Sequence, residues 1–183
     1  MKRVLQRTGL AFVLAWFTFT AGCDVPGPDN TITLTADKDL NFQFSSGNGA
    51  TREMTLTSNE SIDVSDVLQS QNFQKTAITS ATIDQATVEI IFPGTVPIGF
   101  LSEARLSFAA TGLTTTQVAS QVVFPQGASD KTVTLNIDAT KDITSFVKAA
   151  SFNGKLFLAA QTLQTNKQYE IQARLRLLVR VQF

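Results

Sequence analysis

From Ile171 to Phe183 the apolar side chains fall on every second position. Ile171, Ala173, Leu175, Leu177, Val179, Val181 and Phe183 share one face, and Gln172, Arg174, Arg176, Arg180 and Gln182 share the other, with Leu178 as the single exception. A period of two is the mark of a strand with one face in a core and one in water. At about 3.3 Å per residue, a strand over 168–183 would span roughly 53 Å, well beyond the usual 17–20 Å. A bend or bulge is therefore expected, and the consecutive apolar pair Leu177-Leu178 is the natural place for it. Leu175 and Val179 are expected inside, and Arg174 and Arg176 outside.

The same period recurs along the chain. Ile32, Leu34 and Ala36 alternate with threonines, and Leu40, Phe42 and Phe44 with Asn41 and Gln43. Met54 and Leu56 continue the pattern after Ser46-Gly47-Asn48-Gly49, a turn signal suited to a hairpin. Val88, Ile90 and Phe92 are expected on one face of a strand over 77–92 that Pro93-Gly94 ends. Further strands are expected over 104–110, 118–124, 132–137 and 155–162, the last forming a hairpin with 168–183 around Thr165-Asn166-Lys167. Two segments break the period. Ser65 would cap one helical turn carrying Val67 and Leu68, and 142–149 places Ile143, Phe146 and Val147 at helical spacing. Ser61-Ile62-Asp63 before the first turn echoes Asn136-Ile137-Asp138 before the second. Many short strands separated by turns predict an all-β fold, an antiparallel β-sandwich of immunoglobulin-like or jelly-roll-like build, with two short helical turns.

The start of the chain has a different character. Met1-Lys2-Arg3 and Arg7 are basic, residues 10–19 form an apolar run too short to span a bilayer, and Thr20-Ala21-Gly22 are small. This is the build of a secretory signal peptide. Cys23, the sole cysteine, follows directly, and Thr20-Ala21-Gly22-Cys23 resembles the lipobox of bacterial lipoproteins, with Thr20 where that family usually has Leu. The resemblance implies that residues 1–22 are removed and that Cys23 becomes an acylated first residue. Residues 23–30, with two prolines and a glycine, would then be the lipidated cysteine and tether, and 31–183 the sandwich domain. The implied location is the bacterial cell envelope, anchored in the inner or outer membrane outside the cytoplasm.

Composition narrows the chemistry. Removing Lys2, Arg3 and Arg7 leaves twelve basic residues against fifteen acidic, a balance that does not point to nucleic acid. The chain has no histidine, so Ser-His-Asp and Cys-His nucleophile systems are excluded and the usual zinc sites lack ligands. No metal, cofactor or catalytic residue is expected. The sole tryptophan, Trp16, lies before Cys23, and one tyrosine, Tyr169, stands beside eleven phenylalanines after it. Outer-membrane barrels carry girdles of Trp and Tyr, and sugar-binding platforms commonly use them, so this composition favours neither.

Several constellations invite a functional assignment. Arg174, Arg176 and Arg180 would form a basic stripe able to meet carboxylate or phosphate, or else a solvated sheet face paired with carboxylates on neighbouring strands. Ser145-Phe146-Val147-Lys148 matches the Ser-x-x-Lys pattern of penicillin-binding enzymes, whose other motifs are missing. Asp37-Lys38-Asp39-Leu40-Asn41 begins like a calcium loop but has Phe42 where the glycine belongs and Asn48 where the closing Glu belongs. Asp63 and Asp138 are the candidates for a carboxylate pair. The apolar loop 93–101, carrying Val96, Ile98, Phe100 and Leu101, either covers a core edge or offers a contact surface. Together these features point to a membrane-anchored envelope lipoprotein that is a binding, structural or adhesive module, not an enzyme. Its partners would be the membrane through Cys23 and an envelope protein or polysaccharide. Two alternatives are a periplasmic carrier of a lipid or other apolar ligand, with a phenylalanine-lined cavity, and a carboxylate-based hydrolase acting on envelope polysaccharide.

Overall fold

The computed structural model describes residues 30–46, 53–124, 130–160, 163–164 and 166–183. The signal, lipobox and most of the tether, with Cys23, lie outside the described residues, as does most of the 46–49 turn signal. The elements in chain order are β1 (Thr31–Ser45), β2 (Glu53–Ile62), α1 (Ser65–Ser70), β3 (Ile78–Phe92), β4 (Leu101–Ala109), β5 (Thr116–Gln121), β6 (Thr132–Thr134), β7 (Asn136–Ile137), α2 (Thr144–Lys148), β8 (Phe152–Ala160) and β9 (Gln168–Gln182). Short 3₁₀ turns at Lys75–Ala77 and Ile98–Phe100 precede β3 and β4. The strands form two antiparallel sheets, β1-β9-β3-β6 and β2-β8-β4-β5-β7, packed as a sandwich.

The in-out pattern of β9 follows the sequence. Leu175, Leu177, Val179 and Val181 are buried, Arg174, Arg176 and Arg180 are exposed, and Leu178 sits half-buried on the outer face among the polar residues. Two expectations fail here. Phe183 lies past the end of the strand and is 60% exposed, so it does not join the buried row. Nor does β9 bulge at Leu177-Leu178, because β1 pairs with it in unbroken register from Thr31↔Gln182 to Ser45↔Gln168. The irregularity falls on the neighbouring strand instead. β3 carries an extra residue at three places, Thr79, Asp84 and Ile91, the second opposite the Leu177–Arg176 step. Each extra residue shifts the phase, so the buried row runs Ile78, then Ala81 and Ile83, then Ala86, Val88 and Ile90. The third shift turns Phe92 outward, 52% exposed, where strict alternation had placed it beside Val88 and Ile90.

The expected hairpins are replaced by crossings between sheets. β1 and β2 lie in different sheets, as do β8 and β9. Ser46 ties the two crossings together: its amide donates to the Lys167 carbonyl at 2.9 Å, its hydroxyl to the Gln164 carbonyl, and it accepts from the Lys167 amide at 2.9 Å. The segment expected as one strand over 132–137 also divides. β6 pairs with β3, β7 pairs with β5, and buried Leu135 makes the crossing with its amide on the Ala86 carbonyl at 2.9 Å.

Two helical turns close the open sides of the sandwich. α1 and α2 follow β2 and β7, the two edge strands of the five-stranded sheet. Leu68 of α1, and Phe146 and Val147 of α2 with the adjoining Ile143, enter the core. Ser65 is the first residue of α1 and not its cap; Asp63 holds that start by accepting from the Ser65 amide at 3.0 Å and its hydroxyl at 2.8 Å. The loop 93–101 covers the core edge, with Ile98 and Leu101 fully buried and Phe100 against Tyr169 at 5.6 Å between rings.

The long strands give the molecule two poles. At one, the Phe183 amide donates to the Asn30 carbonyl at 3.1 Å, so the start of β1 and the end of β9 meet where the tether leaves. The other pole, a strand length of roughly 50 Å away, gathers the end of β3, the start of β4 and the end of β5. It carries the exposed apolar residues Ile91, Phe92, Val122 and Val123.

Candidate functional site

The outer face of the four-stranded sheet is polar from edge to edge, because the register aligns the outward residues of three long strands in rows. Asp39, Arg174 and Thr87 make one row, Asp37, Arg176 and Gln85 the next, and Thr33, Arg180 and Ser80 a third. Asp37 and Asp39 therefore sit in the middle of β1, one residue apart on its outer side, and not in a turn or a calcium loop. Among the described residues no group of three or more acidic, histidine or cysteine side chains is arranged to hold a metal.

The stripe divides by partner. Arg174 Nη2 reaches Glu89 Oε2 at 2.8 Å, and its Nε donates to Gln172 at 2.9 Å. Arg176 Nε donates to Asp37 Oδ1 at 3.0 Å. That hydrogen bond, with the Asp37 and Asp84 charges, pushes the Arg176 guanidinium above its ordinary value. Arg180 makes no ion pair among the described residues. Around Arg174 and Arg176 lies an open hollow of about 360 Å³, lined by Asp37, Asp39, Gln85, Thr87 and Thr132. A second, of about 310 Å³, lies around Arg180 with Thr33, Ser80, Thr82 and Leu178. Both are shallow depressions whose lining mixes the side-chain donors and acceptors with apolar surface, Leu175 in the first and Leu178 in the second. Alternation with Val88 and Ile90 already puts Gln85, Thr87 and Glu89 on the outer side of β3, but the pairing of β3 with β9 that sets them beside the arginines is not written in any local pattern.

The other candidates have local structural roles. Asp63 binds the Ser65 donors and pairs with Lys75 at 2.8 Å. Partial burial would raise its pKa, but the Lys75 ammonium and the Ser65 donors outweigh this and hold it at about 2. Asp138 accepts from the Thr140 hydroxyl at 2.6 Å and amide at 3.0 Å, which lower its pKa below the ordinary value. A general acid needs the opposite shift. In Ser145-Phe146-Val147-Lys148 the two middle residues are buried and the outer two exposed, as a turn packed on the sandwich requires. The phenylalanines Phe108, Phe146 and Phe152 pack on one another at 4.8–6.0 Å between centroids. All three belong to the buried core cluster.

No family model matches the chain, and no curated protein does. Among solved structures, the chain is similar to the infectious bursal disease virus VP2 subviral particle, at 18% identity and a TM-score of 0.35 over 87% of this chain and 34% of that one. The chain thus spans about a third of the length of that protein. The BFDV capsid protein matches at 13% identity and a TM-score of 0.33, over 84% of this chain and 95% of that one.

Proposed function

We propose that the protein is a lipid-anchored module of the bacterial cell envelope, held by acylated Cys23, whose polar sheet face binds envelope polysaccharide without catalysis. The observation that supports this reading is the hollow around Arg174 and Arg176. Both guanidiniums are held by carboxylates, so the face offers fixed donors and acceptors with little net charge. Such a surface matches the neutral, hydroxyl-rich edge of a sugar chain better than a nucleic acid or a strongly anionic polymer. The Thr87 and Thr132 hydroxyls and the Gln85 amide add hydrogen-bonding groups within the same hollow.

Purified peptidoglycan sacculi provide a direct test by co-sedimentation with the lipidated protein in detergent. The double variant Arg174→Ala/Arg176→Ala is expected to bind about tenfold more weakly, while Lys155→Ala on the opposite sheet binds as the parent does. Equal binding by all three would remove the face from consideration. The anchor is checked separately: mass spectrometry of the mature protein is expected to find acyl chains on Cys23, and Cys23→Ala to yield no acylated product.

A further inference from the structure

The tether pole brings three features together. Phe183, 60% exposed, is hydrogen-bonded to Asn30 and so is fixed beside the point where the tether leaves. Arg180, one outward position before Gln182, is the arginine of the stripe without a carboxylate partner among the described residues. The hydroxyls of Thr33, Ser80 and Thr82 surround it in an open hollow. The sequence between Cys23 and Asn30 can extend at most about 25 Å. With Cys23 acylated, this pole is the part of the domain that the tether holds nearest the bilayer.

We infer that the tether pole docks on the lipid surface, with Phe183 entering the headgroup region and Arg180 binding lipid phosphate with Thr33, Ser80 and Thr82. The guanidinium fork suits phosphate oxygens, and the three hydroxyls add neutral donors. An aromatic ring without polar atoms gains by leaving water at the interface. Docking here would stand the long strands away from the membrane and hold the Arg174–Arg176 hollow clear of it. The inference rests on the lipoprotein reading, because only an anchor at Cys23 brings this pole to a bilayer.

The test uses the full lipidated protein in nanodiscs of phosphatidylglycerol and phosphatidylethanolamine containing headgroup-nitroxide lipid. A cysteine placed at Gln182 takes a fluorophore, since acylation leaves Cys23 no free thiol. Quenching at Gln182→Cys is expected to fall about threefold when Arg180→Gln and Phe183→Ser are added, and to weaken when the phosphatidylglycerol is replaced by phosphatidylcholine or the salt is raised. Unchanged thermal melting of the variants keeps folding out of the result. Equal quenching with and without the two substitutions means that the tether alone sets the distance and overturns the docking surface. In that case an acyl mass on Cys23 leaves the lipoprotein reading standing, whereas absence of the acyl mass overturns both.

Discussion

Gly154 stands on the inward face of β8, where an added Cβ would collide with Leu40 Cδ1 from the facing sheet and sit 3.5 Å from Phe42 Cζ. The missing side chain lets the two sheets close. The Gly154 amide, buried by that closure, donates to Ser58 Oγ at 3.1 Å, and the Ser58 hydroxyl donates to the Glu60 carbonyl at 2.6 Å. Ser58 lies where β2 leaves register, between Thr57 and Ser61. Ser58→Ala is expected to cost about 1–3 kcal/mol, since it strands a buried amide, and urea denaturation measures it. On β9, Leu175→Ala should cost about 2–5 kcal/mol through its cavity, while Arg174→Ala should cost at most about 1 kcal/mol because its ion pair is exposed. Equal losses in the same titration would mean that Arg174 anchors the sheet through Glu89. The Leu175–Arg174 contrast was legible in the sequence, because alternation alone carries it. The Ser58–Gly154 bond was not, because it depends on a register break that no local pattern announces.

At the scale of elements, the long strands were readable, whereas the division of 132–137, the end of β5 at Gln121 and the connections between strands were not. Ser46-Gly47 and Thr165-Asn166-Lys167 have turn chemistry, but turn chemistry does not specify whether the chain returns in the same sheet or crosses to the other. Ser46, buried against the Lys167 and Gln164 carbonyls, is the residue that joins the two crossings, and as a lone serine it carried no signal. The echo between Ile62-Asp63 and Ile137-Asp138 was real as placement, since both precede turns that follow edge strands. Lys75 links the two halves: it pairs with Asp63 at the start of α1 and donates to the Ala149 and Ala150 carbonyls after α2, at 2.6 and 2.9 Å. Asp63 titrates at about 2 in the folded chain, against about 3.9 when unfolded. Its contribution is therefore present above about pH 4 and is lost as the pH falls toward 2. Because its side chain is 48% exposed, solvent screening limits that contribution to about 0.5–1 kcal/mol. Melting temperatures taken from pH 6 to pH 2 should show Asp63→Asn less stable at pH 6 and converging on the parent at low pH. Parallel curves would mean that the Lys75 pairing adds nothing to stability.

Across the whole molecule, one core joins both sheets. Leu40, Phe42, Ile171 and Leu177 of the four-stranded sheet belong to the same buried cluster as Leu106, Phe108, Leu156 and Leu158 of the other. β9 is paired along nearly its full length on both sides, so neither β1 nor β3 can leave without exposing it. The ties of Ser46 to Gln164 and Lys167, and of Leu135 to Ala86, further couple the two sheets, so that neither unfolds while the other keeps its connections. Tyr169 offers a separate view of the pole far from the tether: it is buried, stacked on Phe44 at 4.9 Å, and its hydroxyl accepts from the Gln164 amide at 3.2 Å. In a chain processed at Cys23, Trp16 is gone and Tyr169 becomes the fluorophore. Urea unfolding followed by its emission and by far-ultraviolet dichroism is expected to give one shared midpoint, as a domain with a single continuous core should. An emission change at markedly lower urea would show that the pole with Phe44, Phe100 and Tyr169 opens independently. The crossings tied at Ser46 would then be a separable cap, and the long strands alone would carry the cooperative unit.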